Sequence, residues 1–140
     1  MEQEDFLKRQ IDQLGRVLGK ILADLSGLKV RGHMNEGIEA ASQVLKTELG
    51  FNTGDLALIP ADGFLQTLLE TGKFSDSNFE QLAELMFLIA EELHSRNTDV
   101  GKMNNLYERS LIIYEILDQV SPTYSIERHN KIGKIKQMLK

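Results

Sequence analysis

The sequence predicts an all-α protein built from stacked antiparallel helical hairpins. Its 140 residues include two prolines and no tryptophan, and long stretches pass without a helix-breaking residue. Within those stretches apolar residues recur with a period of about 3.6 residues, which is typical of amphipathic helices. The length and the 41% hydrophobic content fit one domain with its own core. We therefore predict a single helical domain over residues 1–140, with an irregular connector at about residues 51–75.

The first helix carries the clearest apolar pattern, a seam whose members are three or four residues apart. The seam consists of Leu7, Ile11, Leu14, Leu18, Ile21, Leu25 and Leu28. It predicts a helix that packs into the core, and a self-association helix is the alternative. Gly15 and Gly19 lie inside this helix, where their small size indicates a close approach by another segment. We expect the helix to break at Ser26, Gly27 and Gly32.

A second helix is expected from a cap at Asn35 to about Leu49, because asparagine is a preferred N-cap residue. Gly50, followed by the apolar Phe51, fits a left-handed C-cap with its hydrophobic contact. This helix has small residues in its N-terminal half, which permits a close crossing with a neighbouring helix.

Residues 52–73 are the least regular part of the chain. We expect at most one helical turn before Pro60, since proline lacks the backbone N–H that a helix interior needs. The proline then opens a short helix that ends at Gly72. Large apolar residues in this connector predict a segment packed on the body, with a movable cover over a groove as the alternative.

Two long helices follow the connector. Ser77 and Glu80 stand in capping-box spacing and predict a helix that runs to about Arg96. This helix is apolar around most of its circumference, so we expect it at the centre of the fold. Asp99 predicts the cap of a fifth helix over residues 100–120, which is apolar on two flanks.

Charge is distributed unevenly along the chain. Residues 33–120 carry 15 acidic and 5 basic side chains, whereas residues 121–140 carry 1 acidic and 5 basic. The basic segment forms the last predicted helix, opened by Ser121 and Pro122. We expect it to lie against the acidic body; a nucleic-acid partner is the alternative, which the acidic remainder of the chain disfavours. The acidic stripe of the fourth helix, which we interpret as a solvated face, consists of Glu80, Glu84 and Glu91.

The sequence offers few groups for catalysis. It has no cysteine, which excludes disulfides, thiolate nucleophiles and cysteine-ligated metals, and it has no glycine-rich phosphate-binding motif. The spacing Glu91-x-x-His94 places a carboxylate and an imidazole on one metal in di-iron bundles, but the motif has no second copy here. We therefore predict a protein that is not an enzyme and uses no cofactor. A metal-binding helical-bundle enzyme using Glu91 and His94 is the alternative.

Two features predict where the chain resides. Residues 1–5 are acidic, whereas a secretory signal begins with basic residues. No apolar run approaches the roughly 18 residues that a membrane span needs. The sequence therefore predicts a cytoplasmic protein without membrane contact.

The fifth helix also carries a repeat-like motif. Its small-x3-aromatic-x2-apolar-x4-Pro spacing is formed by Ser110, Tyr114, Leu117 and Pro122. This spacing resembles the second helix of a tetratricopeptide repeat, with leucine where alanine is usual. A weaker echo is formed by Gly32, Met34, Gly37, Ile38, Ala41 and Val44. The first-helix half of the repeat is not recognisable upstream of either segment. The resemblance implies a tetratricopeptide-like helical bundle.

The N-terminal run over residues 4–22 resembles the start of a family of small bacterial helical proteins without assigned activity. This resemblance implies a bacterial protein and adds no functional residue.

The helices are apolar on more than one flank, and the sequence contains no recognisable catalytic or cofactor-binding motif. Together these two features predict a non-catalytic protein–protein interaction or assembly module. The partner is either another protein or a second copy of the chain in a homodimer. The contact residues that we predict lie on the fifth helix and are Tyr107, Ile112 and Ile116.

Overall fold

The structure, a computed structural model, describes residues 2–140. Within that range it has seven α-helices and no strand, which confirms the all-α prediction. The helices are α1 (Glu2–Arg31), α2 (Met34–Leu49), α3 (Thr53–Leu58), α4 (Phe64–Leu69), α5 (Asp76–Ser95), α6 (Val100–Val120) and α7 (Ile126–Met138).

The pair α5 and α6 forms the centre of the fold, as a long helical hairpin joined by a short turn. On one side α1 packs on α5, and α2 packs on α1. On the other side α7, α3 and α4 contact α6. Buried apolar side chains from all seven helices form one connected cluster, so every element contributes to the same core.

The apolar seam of α1 faces this core. Its middle members Leu14, Leu18 and Leu25 are buried, which supports the core-packing interpretation. The helix continues through Gly27 to Arg31, so the break predicted at Ser26 and Gly27 is wrong. Glycine lowers helix propensity by only about 1 kcal/mol, and Leu25, two residues before Gly27, is buried in the core.

Polar side chains of α5 lie against the glycines of α1. The Asn78 amide nitrogen donates to the backbone oxygens of Ile11 (2.9 Å) and Lys73 (2.8 Å). The Gln81 amide nitrogen donates to the backbone oxygen of Gly15 (3.3 Å). A Cβ on Gly15 would lie 3.0 Å from the Asn78 side-chain oxygen. The close approach that the glycines predict is therefore made by amide side chains.

Helix α2 begins at a different residue from the predicted one, but it ends where we predicted. The helix begins at Met34, with His33 at the N-cap position and no side-chain hydrogen bond, so the predicted Asn35 cap is wrong. Gly32 adopts a φ of 78°, which turns the chain so tightly that α2 starts before Asn35. At the other end Gly50 has a φ of 84° and its N–H donates to Lys46, which confirms the left-handed C-cap.

The connector contains more helix than predicted. A capping box, in which Asn52 accepts from the Asp55 N–H (2.7 Å) and Asp55 accepts from the Asn52 N–H (3.0 Å), opens the six-residue α3. The next helix, α4, begins after Gly63 (φ 89°) rather than at Pro60, and it ends before Gly72. The prediction of a single turn was wrong because the sequence reading missed the Asn52 cap.

Helix α5 starts two residues earlier than predicted. The Ser75 hydroxyl accepts from the Asn78 N–H (3.1 Å) and caps it. The predicted capping box of Ser77 and Glu80 is therefore wrong, because Ser75, Asp76 and Ser77 are consecutive capping residues and the first of them takes the cap position.

The caps of the last two helices give one confirmed and one incorrect prediction. Asp99 accepts from the Lys102 N–H (3.1 Å), which confirms it as the cap of α6. Helix α7 is capped by Ser125, which accepts from the Arg128 N–H (3.2 Å), and not by Ser121. The segment between the two helices holds the chain extended, so α7 starts later than predicted.

No helix in the described range is both long and apolar enough to cross a bilayer.

Candidate protein-interaction surface

One flank of α6 exposes apolar side chains in a straight line. Ile112, Ile116 and Val120 are four residues apart and share one face of the helix. Ile112 is half-buried, Ile116 is 37% exposed and Val120 is 58% exposed. We call these three residues the α6 stripe. Two of the predicted contact residues, Ile112 and Ile116, therefore lie on one surface.

The third predicted contact residue, Tyr107, lies in the core. Its side chain is fully buried, and its ring meets the ring of Phe87 edge to face with 5.9 Å between centroids. Burial, with a contribution from the Glu91 carboxylate, raises the pKa of Tyr107 to about 12. In this fold Tyr107 supports the α5–α6 packing and is out of reach of a partner, so the candidate surface does not include it.

Two more exposed apolar side chains follow the stripe in the sequence. Tyr124 in the α6–α7 connection and Ile126 at the start of α7 are 68% and 66% exposed. The sequence reading missed these residues and Val120. Val120 was detectable as the next step of four after Ile116, whereas Tyr124 and Ile126 lie outside the helical pattern of α6.

The acidic side chains next to the stripe are paired within the chain. Glu115 lies 3.7 Å from Lys136, and Asp118 lies 3.4 Å from Arg128. These pairs reduce the net charge along the edge of the stripe. A second apolar surface can therefore approach it without a strong like-charge penalty.

The basic helix α7 lies against the acidic face of the body, which confirms the prediction for the C-terminal segment. Each carboxylate of the α5 acidic stripe meets a basic side chain of α7, so that stripe is not the unpaired solvated face that we predicted. The pairs, which we call the charge ladder, are Glu80 with Arg128, Glu84 with Lys131 and Glu91 with Lys134. Pairing within the chain leaves fewer cations for a phosphate backbone.

The aromatic floor below the charge ladder is formed by α5 and α6. The Lys131 ammonium lies 5.7 Å from the ring centre of Phe87 and 6.0 Å from that of Tyr114. The Lys134 ammonium lies 5.6 Å from the ring centre of Phe87. Burial raises the pKa of Tyr114 well above its ordinary value, and the neighbouring Glu84 and Glu80 carboxylates add to this effect.

The Glu91 and His94 pair does not assemble a metal site. Glu91 accepts a hydrogen bond from Lys134, and His94 lies exposed in the last turn of α5. Within residues 2–140 no group of three or more His, Cys, Asp or Glu side chains is placed to hold a metal ion. The metalloenzyme alternative therefore lacks a ligand set in this part of the chain.

A shallow groove of about 360 Å³ lies between the C-terminal half of α1 and α2. Apolar residues line most of it, including Leu28 and Val44, with Asp24 and Arg31 among its polar residues. A Cβ on Gly37 would lie 2.5 Å from Leu28, so the two helices cross closely here. The groove has no convergent set of buried polar groups, which ligand sites use to orient a substrate.

No known protein family, curated protein or solved structure matches this chain.

Proposed function

We propose that this chain is a non-catalytic protein–protein interaction module that assembles as a homodimer through the α6 stripe. One observation carries the proposal: Ile116 and Val120 are exposed on a long, regular helix in line with Ile112. Exposed apolar residues that form a line on a rigid element are typical of interaction surfaces.

The shape of the stripe favours a second copy as the partner. A twofold dimer interface is isologous, so the same patch must be complementary to itself. Two α6 helices that cross antiparallel at Ile116 bring Ile112 of each chain next to Val120 of the other. The paired charges of Glu115 and Asp118 lower the cost of this approach.

The helix order supports a tetratricopeptide-like stacking as part of the same proposal. The hairpins α1–α2 and α5–α6 pack through α1 and α5, and α7 follows on α6. Ser110, the small residue of the repeat-like motif, is fully buried and its hydroxyl donates to the Ala83 backbone oxygen (2.8 Å). We propose a bacterial, cytoplasmic protein that uses this scaffold for assembly.

Sedimentation equilibrium of the full chain tests the proposal. We expect the mass of two chains for the natural protein, and a dimer dissociation constant raised by about tenfold or more in Ile116→Glu, since a charge then enters an apolar interface. The matched control is Val30→Glu, which places the same charge at a valine of α1 that is 89% exposed.

Two results would contradict the proposal. The first is a one-chain mass for the natural protein at every concentration. The second is equal weakening by Ile116→Glu and Val30→Glu, which would indicate a general effect of charge rather than an interface at α6.

A further inference from the structure

A pocket of about 400 Å³ lies beside the N-terminal half of α1. Helix α1 forms one wall, and the opposite wall comes from the last turn of α2 and from the segment that leads into α5. The volume is in the range of small-ligand sites. Most of the lining side chains are polar, and they include Arg9, Gln13, Arg16, Glu48 and Lys73.

The pocket is positively charged, although the whole chain is acidic. Three cations, Arg9, Arg16 and Lys73, line it with one carboxylate, that of Glu48, which gives a formal charge of +2. The chain as a whole carries −5. None of the ion pairs among the described residues involves these three cations. A concave site lined by charges of one sign concentrates ligands of the opposite sign.

The two arginines do not make the ion pairs that helical spacing offers them. Asp5 lies four residues before Arg9, and a carboxylate and a cation at this spacing can pair on a helix. Asp12 lies four residues before Arg16 in the same way. The Arg9 Nε instead donates to the backbone oxygen of Asp5 (3.4 Å), and the Arg16 guanidinium donates to the side-chain oxygen of Gln13 (3.1 Å). Since a guanidinium has five N–H groups, each arginine keeps donors for a ligand.

Lys73 brings the third cation from a distant part of the sequence. The residue is half-buried, and its ammonium donates to the backbone oxygen of Glu48 (2.6 Å) in the last turn of α2. This contact fixes the ammonium at the wall of the pocket. It is the one hydrogen bond of this ammonium among the described residues, and an ammonium has three N–H groups. Lys73 therefore also keeps donors for an anion.

We propose that this pocket binds a small polyanion, a molecule that carries two or more phosphate or carboxylate groups. Arg9 and Arg16 are seven residues apart, which places their backbones on one face of α1 about 10 Å from each other. One carboxylate or phosphate group pairs with one guanidinium through two parallel hydrogen bonds. Two arginines at this spacing, with Lys73 opposite them, therefore suit a ligand with several anionic groups. The inference goes beyond the proposed dimer and does not depend on it.

Isothermal titration calorimetry of the full chain tests the proposal, with inorganic triphosphate and citrate as separate probes at the same low ionic strength. We expect saturable binding of at least one probe at one site per chain, and the tighter probe identifies phosphate or carboxylate as the recognised group. The double variant Arg9→Gln with Arg16→Gln should raise the dissociation constant by about tenfold or more, because charge-assisted hydrogen bonds to the anion are lost.

The matched control is the double variant Lys20→Gln with Lys29→Gln. It removes the same charge from exposed positions of the same helix, and neither lysine lines the pocket. We expect this variant to bind the probe as the natural protein does. All four substituted side chains are exposed, so both double variants should fold, and their helical circular dichroism checks this.

Three results would overturn the inference. The first is the absence of binding with both probes. The second is equal weakening in the two double variants, which would indicate the net charge of α1 rather than a defined site. The third is binding that neither double variant weakens, which would place the site elsewhere. Each of these results leaves dimerisation through α6 standing, because the pocket and the α6 stripe share no residue.

Discussion

Helices α1 and α7 flank the same central hairpin, but they are held by different forces. The buried seam of α1 includes Leu14, Leu18 and Leu25, and the polar contacts of this helix with α5 come from neutral amides. The contacts of α7 include one fully buried isoleucine, Ile135, and a ladder of ion pairs. Apolar burial does not depend on salt in the way that exposed ion pairs do. Helix α1 is therefore held by contacts that do not depend on salt, whereas α7 adds salt-dependent ion pairs to its apolar contacts.

The largest expected effect tests the apolar attachment of α1. Leu18→Ala removes a fully buried side chain and should lower the free energy of unfolding by about 2–5 kcal/mol. Urea unfolding followed by circular dichroism measures the loss. Leu7→Ala is the matched control, because Leu7 belongs to the same seam and is 43% exposed. Equal losses in the two variants would contradict the assignment of the core.

The next effect concerns the two buried tyrosines of α6, Tyr107 and Tyr114. The pKa of Tyr107 is raised to about 12 in the folded protein, whereas unfolded tyrosine titrates near pH 10. The unfolded state therefore loses its proton first, and stability falls as pH rises from about 10 to about 12, by up to about 3 kcal/mol for this group. Tyr114 adds to the loss in the same direction.

Absorbance near 295 nm follows tyrosine ionisation directly. We expect the ionisation of Tyr107 and Tyr114 to appear only together with loss of helical circular dichroism. Ionisation of these two side chains near pH 10 in a folded protein would show that they are open to solvent.

The smallest effect tests how much the ion pairs of the charge ladder contribute to the attachment of α7. Lys131→Gln removes one rung of the charge ladder, where the lysine ammonium lies 3.0 Å from Glu84, and should cost about 0.2–1 kcal/mol at low salt. The difference should shrink in about 0.5 M salt, because ions screen the pair. Lys20→Gln, on α1 and away from the ladder, is the control. A cost that is independent of salt would mean that Lys131 acts through packing.

Local chemistry decided which helix ends were predictable. Asp99 and Gly50 were correct, and each acts at its boundary with a left-handed backbone, with a φ of 47° at Asp99 and 84° at Gly50. The caps at Ser77 and Ser121 were wrong because other capping residues lie nearby. The choice among them depends on where packing lets the helix start, and sequence spacing does not contain that information.

Only part of the candidate surface could be predicted from the sequence. Helical spacing places Ile112 and Ile116 on one flank and Tyr107 on another, but it does not say which flank a neighbouring helix covers. The pairs of the charge ladder could not be predicted because its carboxylates and its cations lie more than 40 residues apart in the sequence. The sequence did show the charge imbalance between residues 33–120 and residues 121–140.

The contact between Asn78 and Gly15 restricts the register of α1. A seam of leucines with nearly regular steps can pack on α5 again after a shift of one helical turn, about 5.4 Å, because similar side chains return to similar places. The hydrogen bonds of Asn78 to Ile11 and Lys73 do not exclude such a shift by themselves, since each turn of α1 offers another backbone oxygen. Gly15 adds a steric condition, because a Cβ at this position would lie 3.0 Å from the Asn78 oxygen, and a shift that brings Ile11 opposite Asn78 would place a large side chain there. The leucine seam supplies the apolar contact of α1, and the glycine opposite Asn78 narrows the alignments that this contact allows.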